Sequence, residues 1–311
     1  MRRLISAVVA AGLLCLPLPI HADRAPQTPD GFPTAGAAPI IKVLSTGAEP
    51  RIPLTYKVAA GTSTKTDVVT AMAMKIAMAG MDMPEMPLPA MKMAMEVAVD
   101  AVAANGDMTV RTSVKPSMDL SSVPPEMAAA MGSAGLENAA ISATGVMTPR
   151  GGMRGTKFAG PGMDNPQLKQ VLDQAQNTMG QVVAELPDGP LGVGAKWETR
   201  TRTSTQGFEA YQTITAEIVA IKGRVVTLKI TSAMTAPQQS MNNPMLPPGA
   251  EISLSKMTGT GSGTSTIDLD HLVSECTFDV TMNMDVNMNM QGMSQAMAMT
   301  MTLKTTITPV K

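Results

Sequence analysis

Residues 66–78 read TDVVTAMAMKIAM, and their larger apolar side chains recur at every second position. Successive side chains of a β-strand point to opposite faces, so this alternation is typical of a strand with one buried and one wet face. One face carries Thr66, Val68, Thr70, Met72, Met74, Ile76 and Met78. The other face carries Lys65, Asp67 and Lys75 among small residues. The stretch predicts a long antiparallel strand whose buried face is rich in methionine.

The same alternation returns on both sides of this strand. After a Pro-rich turn at 79–89, Met91, Met93, Met95, Val97 and Val99 share one face, and Asn105-Gly106 then predicts a tight hairpin. Near the C-terminus, residues 282–290 and 297–307 repeat the pattern around Gln291-Gly292. A strand over 66–78 would span about 43 Å at roughly 3.3 Å per residue, about twice the usual length. The predicted fold is mainly β (α+β), a large curved antiparallel sheet or part-barrel built from long Met-rich hairpins.

One helix is predicted between the two groups of strands. Asp164 or Asn165 is suited to cap it, Pro166 lies in its first turn, and Pro187 ends it. Apolar residues follow a helical period from Leu168 to Leu186, so we expect a central amphipathic helix packed on the sheet. The glycine-rich run GTGSGT, 259–264, predicts a bent or edge strand.

The N-terminal residues predict export. Arg2 and Arg3 precede an apolar run that is too short for a membrane span, and Ala22 is a suitable cleavage point. We expect a periplasmic or extracellular protein without a lipid anchor at Cys15, because the larger Leu14 precedes that cysteine. The predicted organisation is a signal peptide at 1–22, a disordered linker at 23–38, an N-terminal β meander at 39–158, a helix with its connection at 159–187, and a C-terminal β meander at 188–311. Residues 39–311 are expected to form one structural unit.

Charge and cysteine content exclude several classes of partner. The net charge is −1 and falls to −3 when Arg2 and Arg3 leave with the signal peptide, which argues against nucleic acid as a partner. Cys276 is then the only cysteine, so no internal disulfide is expected. No later run of 18 apolar residues occurs, so no transmembrane segment is expected in the mature chain.

Methionine on the predicted inner face allows two interpretations. Thioether side chains fill irregular gaps, and the chain has few aromatic residues, so the methionines suit core packing. They also form soft, adaptable walls for apolar partners, such as an acyl chain or the lipid part of a lipoprotein. The candidate wall consists of Met72, Met74, Met91, Met93, Met95, Met282, Met284, Met288, Met299 and Met301. Reversible oxidation of methionine would suit a protein that consumes oxidants in the envelope. The alternation argues against this role, because it places most of the methionines on the buried face.

Copper binding is the alternative function. Thioethers are soft ligands that suit Cu(I), and the stretch MDMPEM at 81–86 places Met81, Met83 and Met86 in a predicted turn. No histidine or cysteine accompanies them in the sequence.

Enzymatic activity is not expected, and neither are catalytic residues or an organic cofactor. Asp268, Asp270, His271 and Cys276 are reactive types, but their sequence places no nucleophile against a base. The run GTGSGT lacks the lysine and spacing of a phosphate-binding loop.

The element LPDGPLGVGAKWE, 186–198, together with the Met-rich strands, resembles a family of exported bacterial proteins. This family is known as domain of unknown function six-two-six-three, and the resemblance is expected to cover most of the mature chain. It implies no catalytic residues. The expected architecture is also distantly similar to the periplasmic lipoprotein-carrier half-barrels, in which a curved sheet wraps a helix and holds acyl chains. That similarity concerns the fold and assigns no residue roles.

Overall fold

The structure, a computed structural model, describes residues 29–34, 37–78, 81–122, 141–159, 185–205, 208–241, 250–272, 274–290 and 293–310. These residues form sixteen strands and one short 3-10 turn, Leu120–Ser122. The strands are β1 (Ile40–Ser45), β2 (Ile52–Pro53), β3 (Ser63–Met78), β4 (Met81–Asp82), β5 (Met86–Val102), β6 (Met108–Asp119), β7 (Ile141–Met147), β8 (Met153–Ala159), β9 (Pro190–Leu191), β10 (Lys196–Thr205), β11 (Phe208–Lys222), β12 (Val225–Ala236), β13 (Gln239–Met241), β14 (Ala250–Asp268), β15 (Ser274–Met290) and β16 (Met293–Val310).

Fourteen of these strands form one antiparallel sheet, and twelve of them follow one another in the order β1-β10-β11-β12-β14-β15-β16-β3-β5-β6-β7-β8. Strand β13 pairs with β14, β4 pairs with β3, and β2 and β9 form a separate pair. The last strand, β16, pairs with β3 and so joins the two halves of the chain. The prediction of a mainly β protein with a large antiparallel sheet is confirmed, and the sheet is not closed, since β1 and β8 are its edge strands.

The sheet curves strongly. The neighbouring amides of Tyr56 and Lys57 donate to the carbonyl oxygens of Pro149, in the turn after β7, and of Leu269, after β14, at 2.7 and 2.8 Å. These two oxygens are therefore within about 9 Å of each other, given backbone dimensions. Six strand spacings separate β7 from β14, or about 29 Å in a flat sheet. Only a sheet that bends around residues 52–58 brings both within reach of two consecutive residues.

One end of the sheet, called here the packed end, holds the main hydrophobic core. The turns after β5, β7, β11 and β14 lie there, and residues 52–58 and 186–195 fill the space between the strands. Branched and aromatic side chains dominate this core: Leu54, Tyr56, Val68, Val97, Val99, Val110, Leu186, Leu191, Trp197, Ile218, Val226, Leu228, Ile267, Leu269, Leu272 and Ile307. Their burial is the main stabilising contribution, since each fully buried side chain contributes about 1.5–3 kcal/mol.

Two sequence predictions need comment. The helix predicted for 168–186 falls largely on residues outside the described ranges, and no α-helix occurs within those ranges. Of the two alternatives predicted for GTGSGT, a bent or an edge strand, the edge strand is wrong, because the run lies in β14 and pairs there with both β12 and β15.

Part of the segment predicted as a linker contacts the sheet. The ring of Phe32 lies edge-on to Tyr211 of β11 at 5.2 Å between centroids, and the Arg200 guanidinium lies over the Phe32 ring.

The glycines of β14 leave room for a neighbouring aromatic ring. Gly259, Gly261 and Gly263 occupy the inner face, and Phe278 of β15 pairs with Gly263. A Cβ at Gly261 would lie 2.9 Å from the Phe278 ring, and one at Gly263 would lie 2.8 Å from the same side chain and collide with the carbonyl oxygen of Thr277. The missing side chains therefore let Phe278 lie flat on the strand, an aromatic cover for glycine that is known in sheets.

Replacing Gly263 by alanine is expected to destabilise the fold by about 2 kcal/mol, the usual cost of overpacking. The neighbouring Ser262 points to the outer face and is exposed, so Ser262→Ala should change stability by less than about 0.5 kcal/mol. Urea unfolding of both variants measures the difference. Equal stability of the two variants would contradict this packing.

The burial of Tyr56 predicts that the fold loses stability at alkaline pH. Burial raises the pKa of its hydroxyl well above the ordinary value, so above pH about 10 only the unfolded chain ionises. The free energy of unfolding should then fall with rising pH, and the share from this group should grow through pH 10 toward about 1.4 kcal/mol per pH unit. Tyr56→Phe should remove that share of the slope in urea unfolding between pH 9 and 11. An unchanged slope would show that Tyr56 ionises equally in both states.

Candidate ligand-binding face

Five strands contribute methionine to one continuous row on the inner face. Register partners lie side by side on the same face of a sheet, with Cβ atoms about 4.5–5.5 Å apart. The first methionine row runs across β12, β14, β15, β16, β3 and β5 and consists of Met234, Gly259, Met282, Met301, Met74 and Met86. Its one glycine leaves no gap, because a Cβ there would lie 3.1 Å from Met282 and 3.3 Å from Met234.

A second methionine row lies beside the first, two residues farther from the packed end. It consists of Ala236, Met257, Met284, Met299 and Ile76 on β12, β14, β15, β16 and β3. Two residues of a strand span about 6.7 Å. The two rows together therefore form a narrow thioether strip that runs across the strands.

Burial changes along this strip. Leu254, Met257 and Val286 form a buried cluster, and Met234, Met282, Met284, Met297 and Met299 pack against it while remaining half-buried. Exposure is greatest beyond β3, where Met81 is 72% exposed and Met83 and Met86 are each 39% exposed. The strip thus passes from interior to surface within one face of the sheet.

The structure brings together only part of the predicted wall. Met74, Met282, Met284, Met299 and Met301 lie in the two rows. Met72 lies beside them and pairs with Leu303 and Leu88, whereas Met288 lies farther along β15 and pairs with Ile252. Met91, Met93 and Met95 point to the same face from β5 but lie toward the packed end. Met95 belongs to the main core, and Met93 packs against it.

Sequence reasoning missed Met234 and Met257. Each stands alone among threonine, serine and small residues, so no run of methionine marked it. The alternation of β12 places Met234 in phase with the buried Leu228, which was the available signal. The pairing partners of Met257 depend on the bulge between Leu254 and Lys256, which composition does not reveal.

The predicted turn methionines lie beside a strand. Met81 pairs with Met78 through β4, and the amide of Met83 donates to the carbonyl of Ile76 at 2.8 Å. Between them, Asp82 forms an ion pair of 2.8 Å with Lys75 on the outer face. Because neighbours in a strand alternate, Met81 and Met83 project to the inner face, toward the methionine rows.

The outer face of these strands is polar. The Thr300 hydroxyl donates to the Asn283 side chain at 2.9 Å, and exposed Thr302 and Lys304 follow on the same strand. The strip and its reverse side therefore differ sharply in polarity across a single sheet.

The reactive residue types stand apart from the strip. His271 Nδ1 lies 2.8 Å from Asp268 Oδ2 in an exposed turn, while burial raises the pKa of the half-buried Cys276 thiol on β15. Within the described ranges, no group of three or more His, Cys, Asp and Glu side chains is placed to hold a metal ion.

The element 186–198, which carries part of the resemblance seen in the sequence, spans β9 and the start of β10, and its Trp197 is 3% exposed in the main core. Residues 167–271 match the model of a family of unknown function, DUF6263. The resemblance to this family is confirmed over that segment, which ends before the Met-rich hairpin of β15 and β16. None of the curated proteins compared with the chain matches it.

In the part of the chain that the structure describes, no helix has the length and hydropathy needed to cross a lipid bilayer.

Methionine oxidation should follow the burial gradient. Hydrogen peroxide converts an accessible thioether to the sulfoxide, so Met81 should react before Met74 and Met301. Met108 and Met147, each 1% exposed in the main core, should react last, with rates about tenfold or more below that of Met81. Peptide mapping by mass spectrometry of the native protein gives the order. Oxidation of Met108 as fast as Met81 would contradict the arrangement of the strands.

Proposed function

We propose that the protein is a non-enzymatic exported envelope protein that binds the acyl chain of a lipid or lipoprotein along its methionine strip. The observation that supports this most strongly is the alignment of methionines from separate parts of the chain into two neighbouring rows. Met282, Met301 and Met74 lie on three successive strands and are half-buried. A strip of flexible thioethers adapts to an apolar partner better than branched side chains do.

The shape of the strip favours a linear ligand. Six strands at a spacing of about 4.8 Å give the first row a length of about 24 Å along the sheet. The two rows together are only about 7 Å wide, since they lie two residues apart. A long narrow apolar strip matches an extended hydrocarbon chain, whereas a compact ligand would leave much of it uncovered.

The contrast between the two ends of the sheet supports binding over core packing alone. At the packed end, the core uses mainly valine, leucine and isoleucine, several of them less than 2% exposed. At the other end, methionine replaces them, and apart from the buried Met257 these methionines stay half-buried beside Leu254 and Val286. Valine and isoleucine are the favoured residues of strands, so the use of methionine at these half-buried positions supports a role beyond packing.

The remaining parts of the proposal come from the sequence. Export rests on the arginines and apolar run of residues 1–22, and a location in the periplasm or outside the cell follows from it. The absence of catalysis is proposed because the reactive side chains at Asp268 and His271 lie in an exposed turn.

The proposal is tested by comparing the fatty-acid affinity of two variants, Met301→Gln and Thr302→Gln. Both changes place an amide on β16, but Met301 contacts the strip between Met282 and Met74, whereas Thr302 is exposed on the outer face. An unpaired amide in an apolar site costs about 1–3 kcal/mol, so affinity for a fluorescent long-chain fatty acid should fall about tenfold or more in Met301→Gln. Thr302→Gln should bind as the unchanged protein does.

Native mass spectrometry of the purified full chain provides a second readout, in which a bound lipid should appear as a discrete mass increment. Circular dichroism confirms that both variants keep their strand content. Failure of the unchanged protein to bind the fatty acid, or an equal loss in both variants, would overturn the proposal and leave core packing as the role of the strip.

A further inference from the structure

Three methionines from three neighbouring strands lie side by side where the strip reaches the surface. Met297 of β16 pairs with Met78 of β3, and Met78 pairs with Met81 of β4. We call this set the corner row. The two rows beside it extend the pattern, because Met299, Ile76 and Met83 come next, followed by Met301, Met74 and Met86. Eight of these nine neighbouring positions are methionine.

The ion pair on the outer face shows to which face of the sheet the side chains of the corner row project. Lys75 Nζ and Asp82 Oδ2 lie 2.8 Å apart on the outer face. Met81 and Met83 flank Asp82, and Met74 and Ile76 flank Lys75, so all four project to the opposite face by strand alternation. The corner row therefore presents its thioethers on one face, with the ion pair of Lys75 and Asp82 on the other.

The sulfur of Met78 is accessible to polar groups. The exposed side-chain amide of Gln295 donates to Met78 Sδ at 3.7 Å, so this sulfur lies at the surface although the residue is half-buried. Met81 is the most exposed large apolar side chain among the described residues, at 72%. The exposed thioether makes the site accessible to a ligand from solution. The two half-buried thioethers beside it shield one side of the site from water.

The spacing suits a three-coordinate soft metal ion. Paired residues in neighbouring strands have Cβ atoms about 4.5–5.5 Å apart, and methionine has three rotatable bonds with which to turn its sulfur toward a common point. Thioethers are neutral soft ligands that suit soft monovalent ions such as Cu(I), whereas magnesium and calcium prefer oxygen ligands. Among the residues that the structure describes, no group of three or more His, Cys, Asp and Glu side chains is placed to hold a harder ion.

We propose that Met78, Met81 and Met297 form a binding site for a soft monovalent metal ion, Cu(I) or Ag(I), with Met83 as a neighbouring fourth thioether. The site is formed by strands from both ends of the chain. It differs from the three methionines of one turn that the sequence suggests, because Met86 pairs with Met74, two rows away from the corner row, while Met78 and Met297 come from β3 and β16.

The test is a titration of the full chain with Ag(I), and with Cu(I) kept reduced by ascorbate, against a competing chelator. We expect one equivalent to bind with a dissociation constant below about 1 µM. The variant Met78→Leu/Met81→Leu/Met297→Leu should lose about tenfold or more in affinity. The matched control, Met91→Leu/Met93→Leu/Met95→Leu, also removes three methionines of the inner face, but toward the packed end, and should keep full affinity. Leucine and methionine are close in volume, so both variants should fold.

The coordination shell gives an independent readout. In the unchanged protein, X-ray absorption at the copper edge should show that all neighbours of the ion are sulfur atoms. In the corner-row variant, nitrogen or oxygen neighbours should appear as well. The single variant Met81→Leu should weaken binding while leaving the fold unchanged, since this side chain is exposed. Binding weaker than 1 µM, an equal loss in the control, or nitrogen ligands in the unchanged protein would each overturn the site.

Discussion

The pairing of β3 with β16 is the constraint on which the rest of the structure depends. Fourteen residue pairs, from Met297 with Met78 to Val310 with Lys65, join a strand near the start of the described chain to its last strand. Closing so long a loop has an entropic cost that the paired surfaces must offset. A slip of one residue would turn every inner side chain of one strand outward. The Thr70 and Thr305 hydroxyls, 3.2 Å apart, are consistent with the observed register.

This register organises both faces of the sheet. It aligns Val68 with Ile307 at the packed end and Met74 with Met301 at the other, so one set of strands supplies a rigid branched core and a soft thioether strip. Curvature around residues 52–58 lets a single segment bond to strands that lie far apart in the sheet. The same alternation sends Lys75 and Lys304 outward, to the face opposite the strip.

Much of the local structure was predictable from the sequence. Alternation identified the inner faces of β3, β5, β15 and β16 because the pleat of a strand imposes a period of two. The neighbours of these strands were not predictable, since pairing between distant segments depends on packing rather than on local pattern. Met234 and Met257 were therefore missed. GTGSGT was predicted as a bent or edge strand because glycine weakens the interior of a strand, whereas the missing side chains make room for Phe278 in a strand that is paired on both sides.

The sequence by itself determined that the protein is built of long strands and that their methionines face inward, because side-chain direction follows directly from the backbone period. Tertiary structure alone decided which methionines meet. Met91 and Met95 joined the packed half of the sheet, Met282, Met301 and Met74 formed a row, and Met81 came to lie beside Met78 and Met297. The physical reason is that register between strands far apart in sequence is settled by cross-strand packing and bulges, which involve the whole sheet at once.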